Sequence, residues 1–285
     1  VEQVLVISCC FFELPMILPL IILFFVFGLV IGSFLNVVIY RYHTEKSILG
    51  RSACMSCQDK LVWYDLVPLF SFFLLKGRCK TCKTKISRQY PIVEFLTGVV
   101  FALLFFKFQD LFFWNLLMFT MTYVYYAVLF SILIVISVYD WKHKIIPDGL
   151  VLLFGVLAFI SVFLFSGSIF NLHIPQTLEV FSGVILAAPF ALIWLLSKGA
   201  WMGLGDAKLE LGLGWLLGLS WGLSAVALAF WSGALVGIVL IVFSKVYSKF
   251  FPTKHSLKSE IPFAPFLAMG ALIAFVLELS LFPIF

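Results

Sequence analysis

The sequence predicts an all-α polytopic membrane protein of about eight transmembrane helices, carrying a cytoplasmic loop built around four cysteines. Three observations lead there. Of 285 residues, 63% are hydrophobic and only 12% are charged, whereas a soluble fold covers its surface with roughly a quarter charged residues. The apolar residues gather into runs long enough to cross a hydrocarbon layer of about 30 Å. The basic residues collect on alternate linkers between those runs. A soluble enzyme, a disordered regulator and a secreted disulfide scaffold are excluded together; six cysteines are too few for the last.

The runs fall at residues 14–40, 91–106, a third ending at 139 and beginning between 111 and 117, 150–165, 178–196, 209–243 and 263–282. The sixth is too long for one straight crossing. It contains Gly212, Gly214, Gly218 and Gly222, so a division near Ser220 is expected, giving eight spans. Residues 41–90 hold ten Lys or Arg against Glu45, Asp59 and Asp65. Lys142 and Lys144 follow span three, Lys198 and Lys208 span five, and Lys245, Lys249, Lys254 and Lys258 span seven. Every basic residue except Lys107 then lies on one side, which the positive-inside rule makes cytoplasmic, with both termini outside. No basic segment precedes the first run, so no cleavable signal peptide is expected. Cys9 and Cys10 read as apolar packing, with lipid attachment the alternative.

Within the basic loop stand Cys54-Met-Ser-Cys57 and Cys79-Lys-Thr-Cys82. Two CxxC pairs at this separation have the spacing of a four-thiolate metal site. A reducing cytoplasm disfavours disulfides, so zinc is expected, with iron in the same thiolate cage the alternative. Four thiolates leave no open position for a catalytic water, which makes the role structural. Trp63, Tyr64 and Phe70 are expected to close a small cap on the membrane surface. The surrounding basic residues are explained by the anionic leaflet, and no nucleic-acid partner is expected.

Acidic residues at the edge of a bilayer core call for a reason. Asp140 closes span three, and Asp206 follows Gly203-Leu-Gly205 at the start of span six. The span count places both at cytoplasmic helix ends, where they can face each other. Glycines at 203 and 205 let another chain approach Asp206 closely. Two adjacent carboxylates share one proton, so one can act as base on a water while the other acts as acid on a carbonyl. That is aspartic-protease chemistry. The plainer alternative has each aspartate capping a helix or reaching to water. Asp148, after Pro147, reads as the cap of span four and is the rival of Asp140. Lys208 reads as structural or lipid-facing. His43, His143, His173 and His255 show no metal or triad spacing, which argues against zinc- and serine-protease readings. A proton-coupled transporter remains the competing class.

The residues also carry a family resemblance. The chain resembles the type IV prepilin peptidases, bifunctional leader peptidases and N-methyltransferases. The matching blocks are Gly32-Ser-Phe-Leu-Asn36 through Arg41, the two CxxC pairs with Leu61-Val-Trp63 through Pro68 between them, Ile86-Ser-Arg88-Gln-Tyr90-Pro91-Ile-Val-Glu94 through Gly98, the Asp140 segment, Gly203-Leu-Gly205-Asp206-Ala-Lys208-Leu, and Ile261-Pro262-Phe-Ala264-Pro265-Phe266. Ala264 stands where the family usually has glycine, and Ala207 where valine is common. The resemblance implies Asp140 and Asp206 as the catalytic pair of a GxGD membrane protease. It implies cleavage of the short basic leader of pilin-like or pseudopilin precursors at the cytoplasmic face of the plasma (inner) membrane.

It further implies S-adenosylmethionine-dependent methylation of the new N-terminus. Members with that activity keep the cysteine-bearing loop, as this chain does; a peptidase-only member is the alternative. Glu94, with Arg88 and Tyr90, is the candidate methyltransferase site, and Asn36 and Arg41 are possible supports. Apart from the family, Glu94 reads as an acid favoured by a helix N-terminus. Gly28, Gly32 and Asn36 recur at four-residue spacing and form a face that another helix can approach. The organisation expected is a first span at 1–40, a zinc-binding, methyltransferase-associated loop at 41–90, and a seven-helix protease domain at 91–285.

Overall fold

A computed structural model describes residues 2–42, 44, 50, 52–54, 56–166, 168–246 and 262–282. His43, His255, Ile261 and the lysines at 249, 254 and 258 lie outside the described residues. The chain forms two compact units, Val1–Ala127 and Val128–Phe285.

In the first unit, α1 (Glu2–Arg41) packs along α3 (Gln89–Trp114). The small-residue face works as expected. A Cβ on Gly28 would lie 2.8 Å from the Gly98 Cα, and one on Gly32 would lie 2.7 Å from the Glu94 Cα. The backbones therefore meet more closely than any side chain permits. Asn36 Nδ2 donates to the Tyr90 carbonyl at 3.1 Å, pinning the start of α3. Phe24 stacks on Phe105 at 4.5 Å and meets Phe119 and Tyr123 edge-on. Between α1 and α3 the loop contains a short turn at Trp63–Leu66 and a one-turn helix, α2 (Phe70–Leu74). Tyr64 and Phe70 are exposed on this loop.

Asn115 separates α3 from α4 (Leu116–His143). Its Oδ1 accepts the N–H groups of Leu117 and Met118, each at 3.1 Å. This capping fixes the helix start that the apolar pattern left open. Lys107, placed in a linker by the sequence, lies inside α3.

The second unit continues α4 into α5 (Asp148–Leu164), a two-stranded hairpin of β1 (Phe165–Ser166) and β2 (Ile169–Phe170), α6 (Thr177–Ser197), α7 (Leu204–Val246) and α8 (Ala264–Leu277). α7 packs against α5, α6 and α8. Ser182 Oγ donates to the Gly214 carbonyl at 2.8 Å and Trp215 Nε1 to the Val180 carbonyl at 2.9 Å, tying α6 to α7. The expected division of the long run falls at Gly218, where φ is 71° and ψ is −177°, a conformation that favours glycine.

Among the described residues five helices are long and apolar enough to cross a membrane, the 39 residues Leu204–Val242 counting as one. Asp148–Leu164 and Ala264–Leu277 are shorter apolar helices. The span expected at 263–282 is thus helical over only 14 residues, about 21 Å of rise. It stops where Glu278 turns left-handed at φ 50°.

Candidate functional site

Asp140 lies in the last turns of α4 and is 5% exposed. Its Oδ2 accepts the N–H of Ala264, the first residue of α8, at 3.2 Å. A helix N-terminus presents free amides, so this contact fixes the orientation of the Asp140 carboxyl group. Asp206 is the third residue of α7 and is half-buried. A backbone hydrogen bond from Gly203 reaches its carboxyl group, and it lies near enough to Asp140 for the two to interact electrostatically. The glycine before it has a packing reason: a Cβ on Gly205 would lie 2.8 Å from the Ile146 Cβ. The stretch after α4 and the first turn of α7 therefore pack closely, next to Asp206.

Asp148 differs from the expectation. The cap position of α5 belongs to Pro147, with no side-chain capping bond, and Asp148 is the first helical residue. Its Oδ1 accepts from Lys208 Nζ at 2.7 Å, with the two side chains 77% and 45% exposed. Lys208 is accordingly a partner of Asp148, and the pair ties the start of α5 to the start of α7.

Glu210 was missed by the sequence reading. It sits one turn after Asp206, is fully buried, and interacts electrostatically with it. Neither carboxyl oxygen has a hydrogen-bond partner among the described residues. The available signal was an acid four residues beyond Asp206 inside an apolar run.

In the first unit, Glu94 is the sixth residue of α3 and is 7% exposed. It lies beyond the first turn, so the helix-terminus explanation does not apply to it. Its Oε2 accepts the Leu69 N–H at 2.8 Å, and Ser33 is a second hydrogen-bond partner. Leu69 has φ 57°, an unusual conformation for leucine that this bond helps to hold. Tyr90 stacks on Tyr40 at 5.0 Å. Arg88 precedes the first turn of α3 and is exposed. Glu94 and Tyr90 thus lie one turn apart on α3, where the loop returns to the helix pair.

The two CxxC segments fold as near-copies. Cys54 N–H donates to the Asp59 carbonyl and Cys79 N–H to the Thr84 carbonyl, each at 2.9 Å. Gln58 and Lys83 both adopt φ 58°, and bridges Ala53–Lys60 and Arg78–Lys85 close the two knuckles. All four sulfurs lie within 4.8 Å of one another, with Cys54 to Cys82 at 3.8 Å and Cys57 to Cys79 at 4.0 Å. A tetrahedral ion with bonds of about 2.3 Å sets its thiolates about 3.8 Å apart, so the quartet fits a metal ion. The Thr84 hydroxyl, 3.2 Å from Cys82 Sγ, and the Thr84 amide hold that thiol down to about 6. Thr81 donates to Asp59, bracing one knuckle against the other.

Fold and site together define an integral membrane protein of apolar helices with one buried and one half-buried aspartate near each other and a four-cysteine loop. Residues 26–108 match the Bacterial Peptidase A24 N-terminal domain, and residues 127–238 match the Type IV leader peptidase family. The chain is 32% identical over 280 residues to the "Type 4 prepilin-like proteins leader peptide-processing enzyme" of Escherichia coli O78:H11 (strain H10407 / ETEC), covering 88% of this chain and 91% of that one. It is 30% identical over 258 residues to the "Prepilin leader peptidase/N-methyltransferase" of Bacillus subtilis (strain 168), covering 88% and 92%. A relative of the same name in Myxococcus xanthus (strain DK1622) is 34% identical over 228 residues, covering 76% of this chain and 62% of that one. No solved structure matches the chain. The chain belongs to the type IV leader peptidase family.

Proposed function

We propose that this protein cleaves the leader from type IV prepilin-like precursors and then methylates the new N-terminal amine. The observation carrying the proposal is the meeting of Asp140 and Asp206, from different helices, in one partly buried site within a chain of this family. The transporter alternative loses its ground with that family membership. The dyad works as two carboxyl groups holding one proton. Asp140, which accepts the Ala264 N–H, serves as the base that takes a proton from water. The water oxygen attacks the scissile carbonyl carbon while Asp206, as the acid, polarises the carbonyl oxygen. The tetrahedral intermediate then breaks its C–N bond, and a proton passes to the leaving amine. Gly203 and Gly205 let the substrate chain approach Asp206, and the Lys208–Asp148 pair supports the site without taking part in chemistry.

The membrane reading is eight crossings with both termini outside and the dyad at the cytoplasmic face of the plasma membrane. Its support is the distribution of basic residues and the break at Gly218. The substrate's apolar helix would stay in the lipid while its leader lies at the surface. Zinc is the metal we assign to Cys54, Cys57, Cys79 and Cys82, where it would hold the two knuckles of the 41–90 loop together. Methyl transfer is assigned to Glu94 with Arg88 and Tyr90. S-adenosylmethionine would supply the methyl group, and Glu94 would orient or deprotonate the incoming ammonium. The bond between Glu94 and Leu69 links that carboxylate to the cysteine-bearing loop.

The test is mass measurement on a prepilin-like precursor incubated with the purified protein in lipid, with and without S-adenosylmethionine. The expected products are the leaderless chain without the methyl donor and the same chain carrying one methyl group with it. E94Q is expected to leave cleavage within about twofold and to lower methylation of pre-cleaved substrate about tenfold or more, the loss of a charged hydrogen-bonding group. An intact precursor under both conditions would contradict the proposal. Cleavage without methylation by the wild type would reduce it to a peptidase.

A further inference from the structure

Glu210 is a buried acid for which the dyad mechanism has no use. It is fully buried on α7, between Leu209 and Leu213 in the apolar interior. Both carboxyl oxygens lack a hydrogen-bond partner among the described residues. The nearest lysine in sequence, Lys208, is already bound to Asp148 at 2.7 Å, and the other dyad member, Asp140, takes its hydrogen bond from Ala264. A buried polar group without partners is rare enough to need an explanation, and an acid inside a membrane segment is functional by default. A leucine at this place would pack without any cost of burying a polar group.

What Glu210 faces is Asp206. Residues four apart on a helix lie on one face, one above the other, and the two carboxyl groups interact electrostatically. The Glu210 carboxyl oxygens, unsatisfied by any described residue, are left to hydrogen-bond to a water. No direct bond joins it to Asp206, so a hydrogen-bonded link between the two carboxyl groups runs through a trapped water.

We propose that Glu210 is a positioning residue for Asp206: from one helical turn below, it is joined through a bridging water to the Asp206 carboxyl and fixes its orientation toward the scissile bond. This rests on the reading of Asp140 and Asp206 as the proteolytic pair. Glu210 itself touches no substrate, so its contribution falls on turnover.

The experiment compares E210L, E210M and E210Q with wild type and D206N in lipid, measuring thermal midpoint, kcat and KM on a prepilin-like precursor. E210L is expected to be folded and at least as heat-stable as wild type, because an unpartnered buried acid has been replaced by an apolar side chain. Its kcat is expected to fall about tenfold or more, the effect of losing a hydrogen bond to a charged group, with KM within about twofold. E210Q keeps a hydrogen-bonding group of the same length and is expected to recover most of the turnover. A merely structural glutamate would give a stable, fully active E210L, which would overturn the proposal, as would an E210Q as slow as E210L. If E210L does not fold, E210M carries the same comparison. Failure of both apolar variants to fold would show that Glu210 holds the fold, and would also overturn it. An active D206N would defeat the dyad reading, whereas an inactive D206N beside a full-speed E210L would defeat this inference alone.

Discussion

Asp140 and Asp148 share a short stretch of chain, yet their surroundings separate them. Asp140 is buried and takes an amide from the start of another helix; Asp148 is exposed and paired with Lys208. Exposed ion pairs contribute about 0–1 kcal/mol, so D148N is expected to keep substantial cleavage, with stability lowered by no more than about 1 kcal/mol. Cleavage rate and thermal midpoint measured on the same preparation check this; abolished cleavage in a folded D148N would mean the wrong aspartate of the two has been assigned. Asp140 and Asp206 were legible because acids at the edge of apolar runs stand out. The position of Asp148 was misread because an acid after proline looks the same in sequence whether it caps a helix or begins one. Glu210 was passed over because its meaning depends on burial, which the one-dimensional pattern does not carry.

Among the elements, the two cysteine knuckles were the most legible, since the CxxC spacing itself determines that two sulfurs converge. The sequence did not reveal how the loop is tied down. That work falls to Glu94, which holds the Leu69 turn, and to Thr81 with Asp59. Because each knuckle contributes two of four ligands, C54S and C82S, one from each, are expected to lose metal alike. Elemental analysis should give about one zinc per wild-type chain and much less in either variant. Their loops should become more susceptible to protease, while residual cleavage follows the fraction that stays folded. Undiminished metal in a chain lacking all four cysteines would exclude the site. In α7 the expected break was placed within two residues, but not the glycine responsible. Gly212, Gly214 and Gly222 are closed in by Phe154, Gly183 and Leu186, whereas Gly218 has open space and a positive φ. Close packing and backbone reversal select the same residue, so the sequence alone could not divide them.

At the scale of the whole molecule, composition and charge gave the class, because lipid solvation requires long apolar helices and the leaflet potential sorts lysine and arginine. Helix lengths were less legible: α3 runs on through Lys107, and α8 stops at Leu277. Hydropathy marks where apolar residues lie, while the ends are set by local caps and turns such as Asn115 and Glu278. The family match covers both the cysteine-bearing region and the aspartate-bearing region, consistent with one chain joining two activities. The central claim is that the paired carboxylates do the proteolysis. One carboxylate cannot be base and acid on the same water at once, and asparagine matches aspartate in shape without being able to serve as that base. The most direct measurement is leader cleavage by D140N and D206N, each purified in lipid and shown to be folded. The account predicts that each single substitution abolishes cleavage; full cleavage by either folded variant would contradict it.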